Sequence, residues 1–325
     1  MMLPDASAPL TAEDARAGFE VILDGEVGDD AIRDFLLAMS LRDETAVEIA
    51  AAITAIRARM IPVVAPAGAI DVCGTGGDMS NSVNVSTAVA IVVAACGVPV
   101  AKHGNRAASS QAGGADTLEA LGLDLDRASA TAEATLADLG IAFLFAQKHH
   151  PALGRLAAIR RSIQRRTIFN LTGPACNPAR VTRQLIGVAR PDFLPVYGEA
   201  LAMLGMEDAI LVAGYEPLDE LSVGGPSTVL RIGKPPMQIT PEKVGLARHP
   251  LVALRGGDAA FNAAALRRML LGETGAYRDA VLFNAAGALI VAGHVSDWRE
   301  GIEEAGEVID RGLANTLLDC WIAYA

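Results

Sequence analysis

The stretch DVCGTGGDMSNSVNVST, residues 71–87, decides how the chain is interpreted. It begins like a β-strand, carries Gly74, Gly76 and Gly77 in its middle, and ends like the start of a helix. Glycine-rich backbone is costly to order because it loses more conformational freedom on folding than other backbone. The stretch is therefore either a ligand-binding loop or a tight structural turn, and the rest of the sequence helps to decide between them.

The composition indicates a globular α/β protein. The chain has 325 residues, of which 51% are hydrophobic and only 4% aromatic. A chain of this length can bury a large core, and small residues suit the packing of helices on a sheet. The formal net charge of −11 argues against nucleic acid as a partner, although a small anion needs only a local positive site.

The sequence carries no pattern typical of a cysteine metal cluster, a secretory leader or a membrane span. The first residues lack a basic segment followed by an apolar run. The most apolar stretch, residues 85–101, is broken by Gly97 and Pro99 and is typical of a buried helix followed by a strand. We expect a cytoplasmic protein without membrane contact. Its cysteines lack C-x-x-C spacing and are expected to be reduced; they are Cys73, Cys96, Cys176 and Cys320.

Residues 11–60 show three amphipathic helical patterns, capped at Thr11, at Asp29–Asp30 and at Thr45. A segment rich in proline and glycine follows them. Their apolar faces exceed what three short helices can bury among themselves, so we expect a dimer joined there. The residues that suggest this interface are Phe19, Phe35, Leu36 and Ile49.

From residue 70, short β-branched runs alternate with alanine-rich helices, which predicts βαβ units and a mostly parallel sheet. The seven runs are AIDVC, VPVAK, IAFLFA, QLIGVA, AILVAG, STVLRIG and MQITP. After about residue 250 the pattern is helical, with three helices expected up to Tyr324. The prediction is an α/β fold with an N-terminal helical domain (1–65), a larger α/β domain (66–325) and a C-terminal helical cluster.

Two donor-rich loops follow neighbouring predicted strands, where open α/β sheets bind ligands. The first, residues 74–87, exposes backbone N–H groups and leads into a helix N-terminus, which attracts phosphate. Its spacing matches neither a nucleotide P-loop nor a dinucleotide motif. The second, residues 102–116, adds further donors, so the two loops suit a ligand with two phosphate groups. Within it, His103 is either a buried structural histidine or a ligand contact.

Taken together, the motifs of the chain resemble those of the anthranilate phosphoribosyltransferases. The segments that carry the resemblance are DVCGTGGD, NVST, VAKHGNRAASS, FLFAQKHHPA, RTIFNLTGPACNP and LDELS, and it covers most of residues 11–325. The resemblance implies a fold similar to that of pyrimidine nucleoside phosphorylases and a homodimer joined through the helical domain. It implies transfer of the phosphoribosyl group of phosphoribosyl pyrophosphate (PRPP) to anthranilate, with release of pyrophosphate, in tryptophan biosynthesis.

The resemblance also implies which residues bind each substrate. Anthranilate contacts fall on Gly74, Asn105, His150 and Arg160. PRPP contacts fall on both donor-rich loops: Gly74, Gly77, Asp78, Ser82, Asn84, Val85, Ser86, Thr87, Lys102, His103, Gly104, Asn105, Arg106, Ala107, Ala108, Ser109, Ser110 and Gly114.

The pair Asp219–Glu220 follows a predicted strand, where two carboxylates either hold Mg²⁺ or form a solvated pair. The family uses this pair for magnesium, together with the serine that corresponds to Ser86. PRPP is highly anionic, and a metal neutralises charge on the departing pyrophosphate. We therefore expect Mg²⁺ as the cofactor.

Arg160 lies at the edge of an apolar stripe, near Leu156 and Ile163 at helical spacing, whereas Arg161 and Arg165 are expected to face water. An arginine in such a place needs an anionic partner. That partner is either a structural carboxylate or, as the family implies, the carboxylate of anthranilate, which suits a bidentate guanidinium.

No compulsory general base is expected, because the aromatic amine of anthranilate is already neutral. Catalysis should depend on positioning by Arg160 and Asn105 and on electrostatic stabilisation of the leaving pyrophosphate. The chain departs from common family residues, and we expect altered affinities rather than lost activity. The departures are Met79 for glycine, Gln111 for a basic residue, Gly114 for a hydroxyl residue and His149 for tyrosine.

Two other functions compete with this one. A pyrimidine nucleoside phosphorylase of similar fold would carry a K-H-S-x-G-G-V-G loop, which residues 74–78 do not show. A non-catalytic paralogue that binds nucleic acid would need a basic face, against which the net charge of −11 argues.

Overall fold

The computed structural model of the chain describes residues 2–107, 111–216 and 218–325. The α-helices are α1 (Ala12–Asp24), α2 (Asp29–Arg42), α3 (Ala46–Arg57), α4 (Val85–Ala95), α5 (Gly114–Ala120), α6 (Leu125–Ala130), α7 (Ala132–Leu139), α8 (Ala146–His149), α9 (Pro151–Gly154), α10 (Leu156–Ile163), α11 (Leu194–Met203), α12 (Ala259–Leu270), α13 (Ala276–Ala292), α14 (Trp298–Asp310) and α15 (Leu313–Tyr324). Short 3₁₀ turns occupy Ile168–Asn170, Pro174–Cys176, Pro191–Phe193, Pro241–Val244 and Leu251–Leu254.

The seven predicted strands form one sheet. They are β1 (Ile70–Gly74), β2 (Val100–Gly104), β3 (Ile141–Phe145), β4 (Arg183–Gly187), β5 (Asp208–Ala213), β6 (Ser227–Arg231) and β7 (Met237–Ile239). The spatial order is β3-β2-β1-β4-β5-β6-β7, in which β6 runs antiparallel to both of its neighbours, β5 and β7, and the other neighbouring pairs are parallel. The chain moves outward from β1 in one direction and then returns to the other side of β1 as β4. A crevice therefore opens between the carboxyl ends of β1 and β4, at the switch in strand order.

The N-terminal helices begin largely where their caps predict. Thr11 accepts a hydrogen bond from the N–H of Asp14 at the start of α1, and Thr45 forms a full capping box with Glu48 at the start of α3. The expected Asp29–Asp30 cap is wrong, because α2 already includes both residues and Gly28 occupies its N-cap without a side-chain bond. The two acids still lie in the first turn, where negative charge is favourable.

Alternate residues of the parallel strands serve two cores, one on each face of the sheet. Leu185 of β4 packs with α4 and the C-terminal helices, whereas its neighbour Ile186 packs with α1–α3, α10 and α11. Helices therefore cover both faces, as the α/β prediction requires. The predicted fold class is confirmed.

The argument for a dimer from unburied helical faces is wrong. Phe19, Leu36 and Ile49 are fully buried and Phe35 is 4% exposed within the single chain. Their partners are residues of α10, α11, β4 and β5, which the sequence does not place beside the N-terminal helices. This apolar core crosses the predicted division at residue 65. The homodimer and the domain boundary both stay predictions.

The C-terminal region contains four helices where the sequence predicts three. Gly312 has a φ of +72°, a left-handed conformation that suits glycine and separates α14 from α15. The helices α12–α15 complete the core against α4 and the sheet. In the described part of the chain, no helix is both long enough and apolar enough to cross a membrane.

Candidate active site

The site is built around two glycines that end adjacent strands. Gly74 of β1 lies in register with Gly187 of β4, and the loop that carries Asp219 crosses both. A Cβ atom on Gly74 would lie 2.2 Å from Asp219 Oδ2, and one on Gly187 would lie 1.5 Å from the Asp219 carbonyl oxygen. Only glycine fits at position 187, whereas a side chain at position 74 would displace the Asp219 carboxyl group. Gly187 is not among the residues predicted from the sequence, although its place at the end of a predicted strand, like that of Gly74 and Gly104, was a usable signal.

The backbone of the glycine loop is held at Gly76 by both of its polar groups. Its N–H donates to Asp219 Oδ2 at 2.7 Å, and its carbonyl oxygen accepts from Arg166 Nη2 at 3.1 Å. Gly76 and Gly77 both have a positive φ, of +68° and +73°, which favours glycine at each position. Arg166 is a contact that the sequence did not predict.

The segment after the loop turns sharply. Met79 has a φ of +60° and its side chain is 80% exposed. Glycine adopts that backbone conformation without strain, whereas a methionine does so only at a cost. The turn is fixed by Asp78, whose Oδ1 accepts from the N–H of Ser80 at 3.1 Å, and by Gly256, whose N–H donates to Asn81 O at 2.8 Å.

Asn84 supports the start of α4 rather than presenting its side chain to the crevice. Its amide nitrogen donates to Ala112 O at 3.2 Å, and its Oδ1 accepts from Thr117 Oγ1 and from Asn262 Nδ2. Tyr277 OH also donates to the Asn84 carbonyl oxygen at 3.1 Å. The side chain of Asn84 is therefore engaged by protein groups, and a PRPP contact at this residue stays a prediction. Asn262 and Tyr277 are supporting residues that the sequence did not predict.

The acid pair faces the first turn of α4. Glu220 Oε1 accepts from the backbone N–H of Ser86 at 3.2 Å, whereas Glu220 Oε2 is buried and has no hydrogen-bond partner among the described residues. Burial, and then the nearby charge of Asp78, raise the pKa of Asp219. Burial, and then the charge of Asp219, raise the pKa of Glu220. Three carboxylates thus crowd a site that is short of positive charge.

Lys102 lies beneath this group and is almost fully buried. Its Nζ donates to Val72 O at 2.8 Å and to Ser86 Oγ at 3.3 Å. The expected PRPP lysine therefore supports the serine of the acid site, and its charge is partly committed there. The buried carboxyl of Asp71 accepts from the N–H of His103 at 3.1 Å and fixes the end of β2.

Within the described residues, no group of three or more His, Cys, Asp or Glu side chains is arranged to hold a metal. A magnesium ion needs fewer protein carboxylates, and the residues of this site fit one. The donor set consists of Asp219, Glu220 and the hydroxyl of Ser86. Mg²⁺ commonly takes one or two protein carboxylates and completes its shell with water and substrate phosphates. The unpartnered Oε2 of Glu220 and the raised carboxyl pKa values are what such a cation would relieve.

A histidine pair lies at the end of β2, on the other face of the strand from Lys102. His103 Nδ1 is 3.1 Å from the carbonyl oxygen of Gly173 and therefore carries the proton, because a carbonyl only accepts. His103 Nε2 then accepts from His150 Nε2 across 3.2 Å. Burial lowers the pKa of His103 to about 3 and that of His150 to about 4, so both rings are neutral at pH 7.

Lowering the pH from 7.5 to 5.5 should reduce the free energy of unfolding by about 1 kcal/mol for each of these histidines. In the folded chain both pKa values lie far below the usual 6.5, so between pH 6.5 and 5.5 the unfolded chain binds protons that the folded chain does not. Urea unfolding at the two pH values measures the loss, which His150→Gln should reduce. His294→Gln, at an exposed site, is the control, and an unchanged pH dependence in His150→Gln would contradict the prediction.

The second donor-rich loop is held by its own acids. Arg106 is 43% exposed and pairs with Asp116, at 2.9 Å, and with Glu119. The N–H of Ala107 donates to Asp116 Oδ2 at 3.0 Å. Asn105 is exposed, and its Oδ1 accepts from Gln147 Nε2 at 3.3 Å. The expected contacts Ala108, Ser109 and Ser110 lie outside the described residues.

Arg160 lies on α10, as predicted, and is half-buried. Its guanidinium carbon is 5.9 Å from the ring centroid of Phe169, and burial lowers its pKa. Within the described residues it has neither an ion pair nor a hydrogen bond, so the alternative of a structural carboxylate gains no support. Arg161 is exposed as expected, whereas the exposed Arg165 also donates to Ser40 Oγ at 2.7 Å.

Comparisons with known proteins bear on the whole chain. The helical bundle domain of the glycosyl transferase family matches residues 6–60, and the α/β domain of that family matches residues 67–315. The anthranilate phosphoribosyltransferase of Novosphingobium aromaticivorans is 61% identical over 325 residues, covering 99% of this chain and 98% of that protein. The chain belongs to the anthranilate phosphoribosyltransferase family.

Solved structures of anthranilate phosphoribosyltransferases also match. The enzyme of Thermus thermophilus is 42% identical with a TM-score of 0.92, and the match covers 98% of this chain and 96% of that one. The Saccharomyces cerevisiae enzyme in complex with PRPP and Mg is 30% identical with a TM-score of 0.89, over 97% and 93% of the two chains. The family and the enzyme class predicted from the sequence are confirmed. None of these relatives supports a nucleoside phosphorylase or a nucleic-acid-binding paralogue.

Proposed function

We propose that the chain transfers the 5-phosphoribosyl group of PRPP to the amine of anthranilate, giving N-(5-phosphoribosyl)anthranilate and pyrophosphate. The observation that carries the proposal is Arg160, a half-buried cation beside the ring of Phe169 with no anionic partner in the described residues. A buried charge without a partner is costly. A small aromatic carboxylate would pair with this guanidinium and lie against apolar surface.

The crevice between β1 and β4 supports PRPP as the second substrate. It combines the positive-φ backbone of Gly76 and Gly77 with the N-terminus of α4, a helix end that suits phosphate. The N–H groups of Gly76 and Ser86 donate there to Asp219 and Glu220. Ser86, Asp219 and Glu220 would hold Mg²⁺ beside them. The contacts inherited from the family at Lys102 and Asn105 remain part of the proposal, with Lys102 acting through Ser86.

In the proposed mechanism, the protein positions two reactants and leaves the nucleophile neutral. When bound, Mg²⁺ supplies positive charge that offsets the negative charge growing on pyrophosphate. Arg160 and Asn105 hold anthranilate with its amine towards C1 of the ribose, which converts a bimolecular encounter into a positioned attack. The neutral rings of His103 and His150 place no positive charge near the attacking amine. The amine proton leaves to water or to the carboxylate of anthranilate.

Turnover of anthranilate tests the proposal against its nearest competitor. Anthranilate fluorescence should fall when the enzyme is given PRPP and Mg²⁺, and a chelator should stop the loss. Parallel samples with thymidine and inorganic phosphate should yield no free thymine. Phosphorolysis of thymidine without consumption of anthranilate would assign the site to a nucleoside phosphorylase instead.

A further inference from the structure

Arg166 lies between the two proposed substrate regions. It follows α10, which carries Arg160, and its Nη2 donates to the carbonyl oxygen of Gly76 at 3.1 Å. A Cβ atom on Gly77 would lie 3.6 Å from Arg166 Nη1, so the guanidinium lies directly against the glycine loop. The side chain is half-buried. None of the substrate contacts expected from the sequence involves this residue.

The two cations that belong to the donor-rich loops themselves, Lys102 and Arg106, are already engaged. Lys102 is buried beneath Ser86 and donates to it and to a backbone carbonyl. Arg106 pairs with the carboxylates of Asp116 and Glu119. In the part of the chain that the structure describes, Arg166 has no carboxylate within 4.0 Å and donates only to a peptide carbonyl. Of the cations that contact the donor-rich loops, Arg166 therefore loses the least interaction energy when it exchanges its acceptor for a ligand.

The electrostatic setting explains why a free cation is needed there. The carboxyl groups of Asp219 and Glu220 line the crevice, where Asp219 Oδ2 accepts from the N–H of Gly76 at 2.7 Å and Glu220 Oε1 accepts from the N–H of Ser86 at 3.2 Å. Burial, the largest influence, lowers the pKa of Arg166, while the charge of Asp219 opposes that shift. A diphosphate group, which carries up to three negative charges, needs positive charge in addition to a metal ion when it enters beside these carboxyl groups.

The guanidinium also has room to move. Arg166 lines a cavity of about 180 Å³ on the side of the loop that faces α2. Thr75, Val188 and Arg190 are among the other residues of its wall. A side chain that borders such a space can leave Gly76 without displacing a packed neighbour.

We infer that Arg166 binds the pyrophosphate group of PRPP, exchanging the carbonyl oxygen of Gly76 for phosphate oxygens. The inference rests on the function proposed above. A charged phosphate oxygen is a stronger acceptor than a peptide carbonyl, and a planar guanidinium can contact two of its oxygens together. The glycine loop stays held by the hydrogen bond from the N–H of Gly76 to Asp219 Oδ2 when Arg166 releases the carbonyl oxygen.

The test measures binding of inorganic pyrophosphate with Mg²⁺ by calorimetry, so that it does not depend on turnover. Arg166→Gln should weaken pyrophosphate binding about tenfold or more and leave anthranilate binding within about twofold. Arg166→Lys should recover part of the loss, because a lysine restores the charge without the bidentate geometry. Arg165→Gln is the matched control, at a neighbouring exposed arginine bonded to Ser40, and should bind both ligands normally.

Thermal unfolding of each variant distinguishes a residue that contacts the ligand from one that only stabilises the fold. Unchanged pyrophosphate affinity in Arg166→Gln overturns the inference, as does an equal loss for both ligands with a lowered Tm. A selective loss at a wild-type Tm supports it. Failure of the proposed function would instead show as absent turnover in the wild-type enzyme, whatever Arg166→Gln does to pyrophosphate.

Discussion

Replacing Asp219 by Asn and Glu220 by Gln together should lower turnover by on the order of 10²–10³-fold while the fold stays intact. Both carboxylates lie on the loop that crosses Gly74 and Gly187, and Glu220 Oε2 is buried without a partner in the described chain. The amides keep the size of each side chain and can still accept from Gly76 and Ser86, but they bind Mg²⁺ poorly. Initial rates at saturating PRPP and anthranilate, over a range of Mg²⁺ concentrations, measure the loss.

The same double variant should be at least as stable as the wild type in the absence of metal. Its carboxylates are crowded and partly removed from water, so neutral amides relieve repulsion. Glu216→Gln, an exposed acid on the same loop, is the control and should change neither property. Unchanged turnover of the double variant at limiting Mg²⁺ would remove the pair from the site.

Arg160→Ala should raise the KM for anthranilate by tens-fold, because a charge-assisted bidentate contact contributes on the order of 2 kcal/mol. The KM for PRPP should change much less, because its phosphates contact the glycine loop, the α4 terminus and the metal. The two constants, each measured with the other substrate saturating, test the assignment.

Arg161→Ala is the matched control, at the exposed neighbour on the same helix. If Arg160→Ala raises both KM values equally, Arg160 is a structural residue or a phosphate contact. If neither value changes, the guanidinium has no part in substrate binding.

Much of the fold follows from local patterns in the sequence. All seven strands lie at the predicted β-branched runs. Helices separate β1 to β5 and return them parallel, whereas β6 and β7 follow β5 without an intervening helix and pair antiparallel. Thr11 and Thr45 cap helices because their hydroxyls satisfy backbone N–H groups close by in the chain. These features depend on neighbours in sequence.

The contacts that the sequence did not predict join distant segments. Whether the face of Phe19 is exposed depends on α10 and α11, whose position against α1 no local pattern gives. The need for glycine at position 187 arises only from the path of the Asp219 backbone. Asn262 and Tyr277 look like ordinary helix residues until α12 and α13 place them against Asn84.

The sequence predicts site residues where a suitable residue type follows the end of a strand. It does not predict which partner an arginine side chain contacts in the folded chain. Arg106 lies within the second donor-rich loop of the sequence, whereas Arg166 lies far from both loops along the chain. The structure pairs the first with Asp116 and Glu119 and leaves the second with a backbone carbonyl. That difference is why we infer a pyrophosphate contact for Arg166, and it depends on the fold of the whole crevice.

The central claim is that separate groups recognise the two substrates, Arg160 for anthranilate and the acid loop with its metal for PRPP. Calorimetric titration of Arg160→Ala and Asp219→Asn, each with anthranilate and with PRPP in the presence of Mg²⁺, tests it most directly. The account predicts a crossed pattern, in which Arg160→Ala weakens only anthranilate and Asp219→Asn weakens only PRPP. Equal weakening of both ligands in both variants would contradict it.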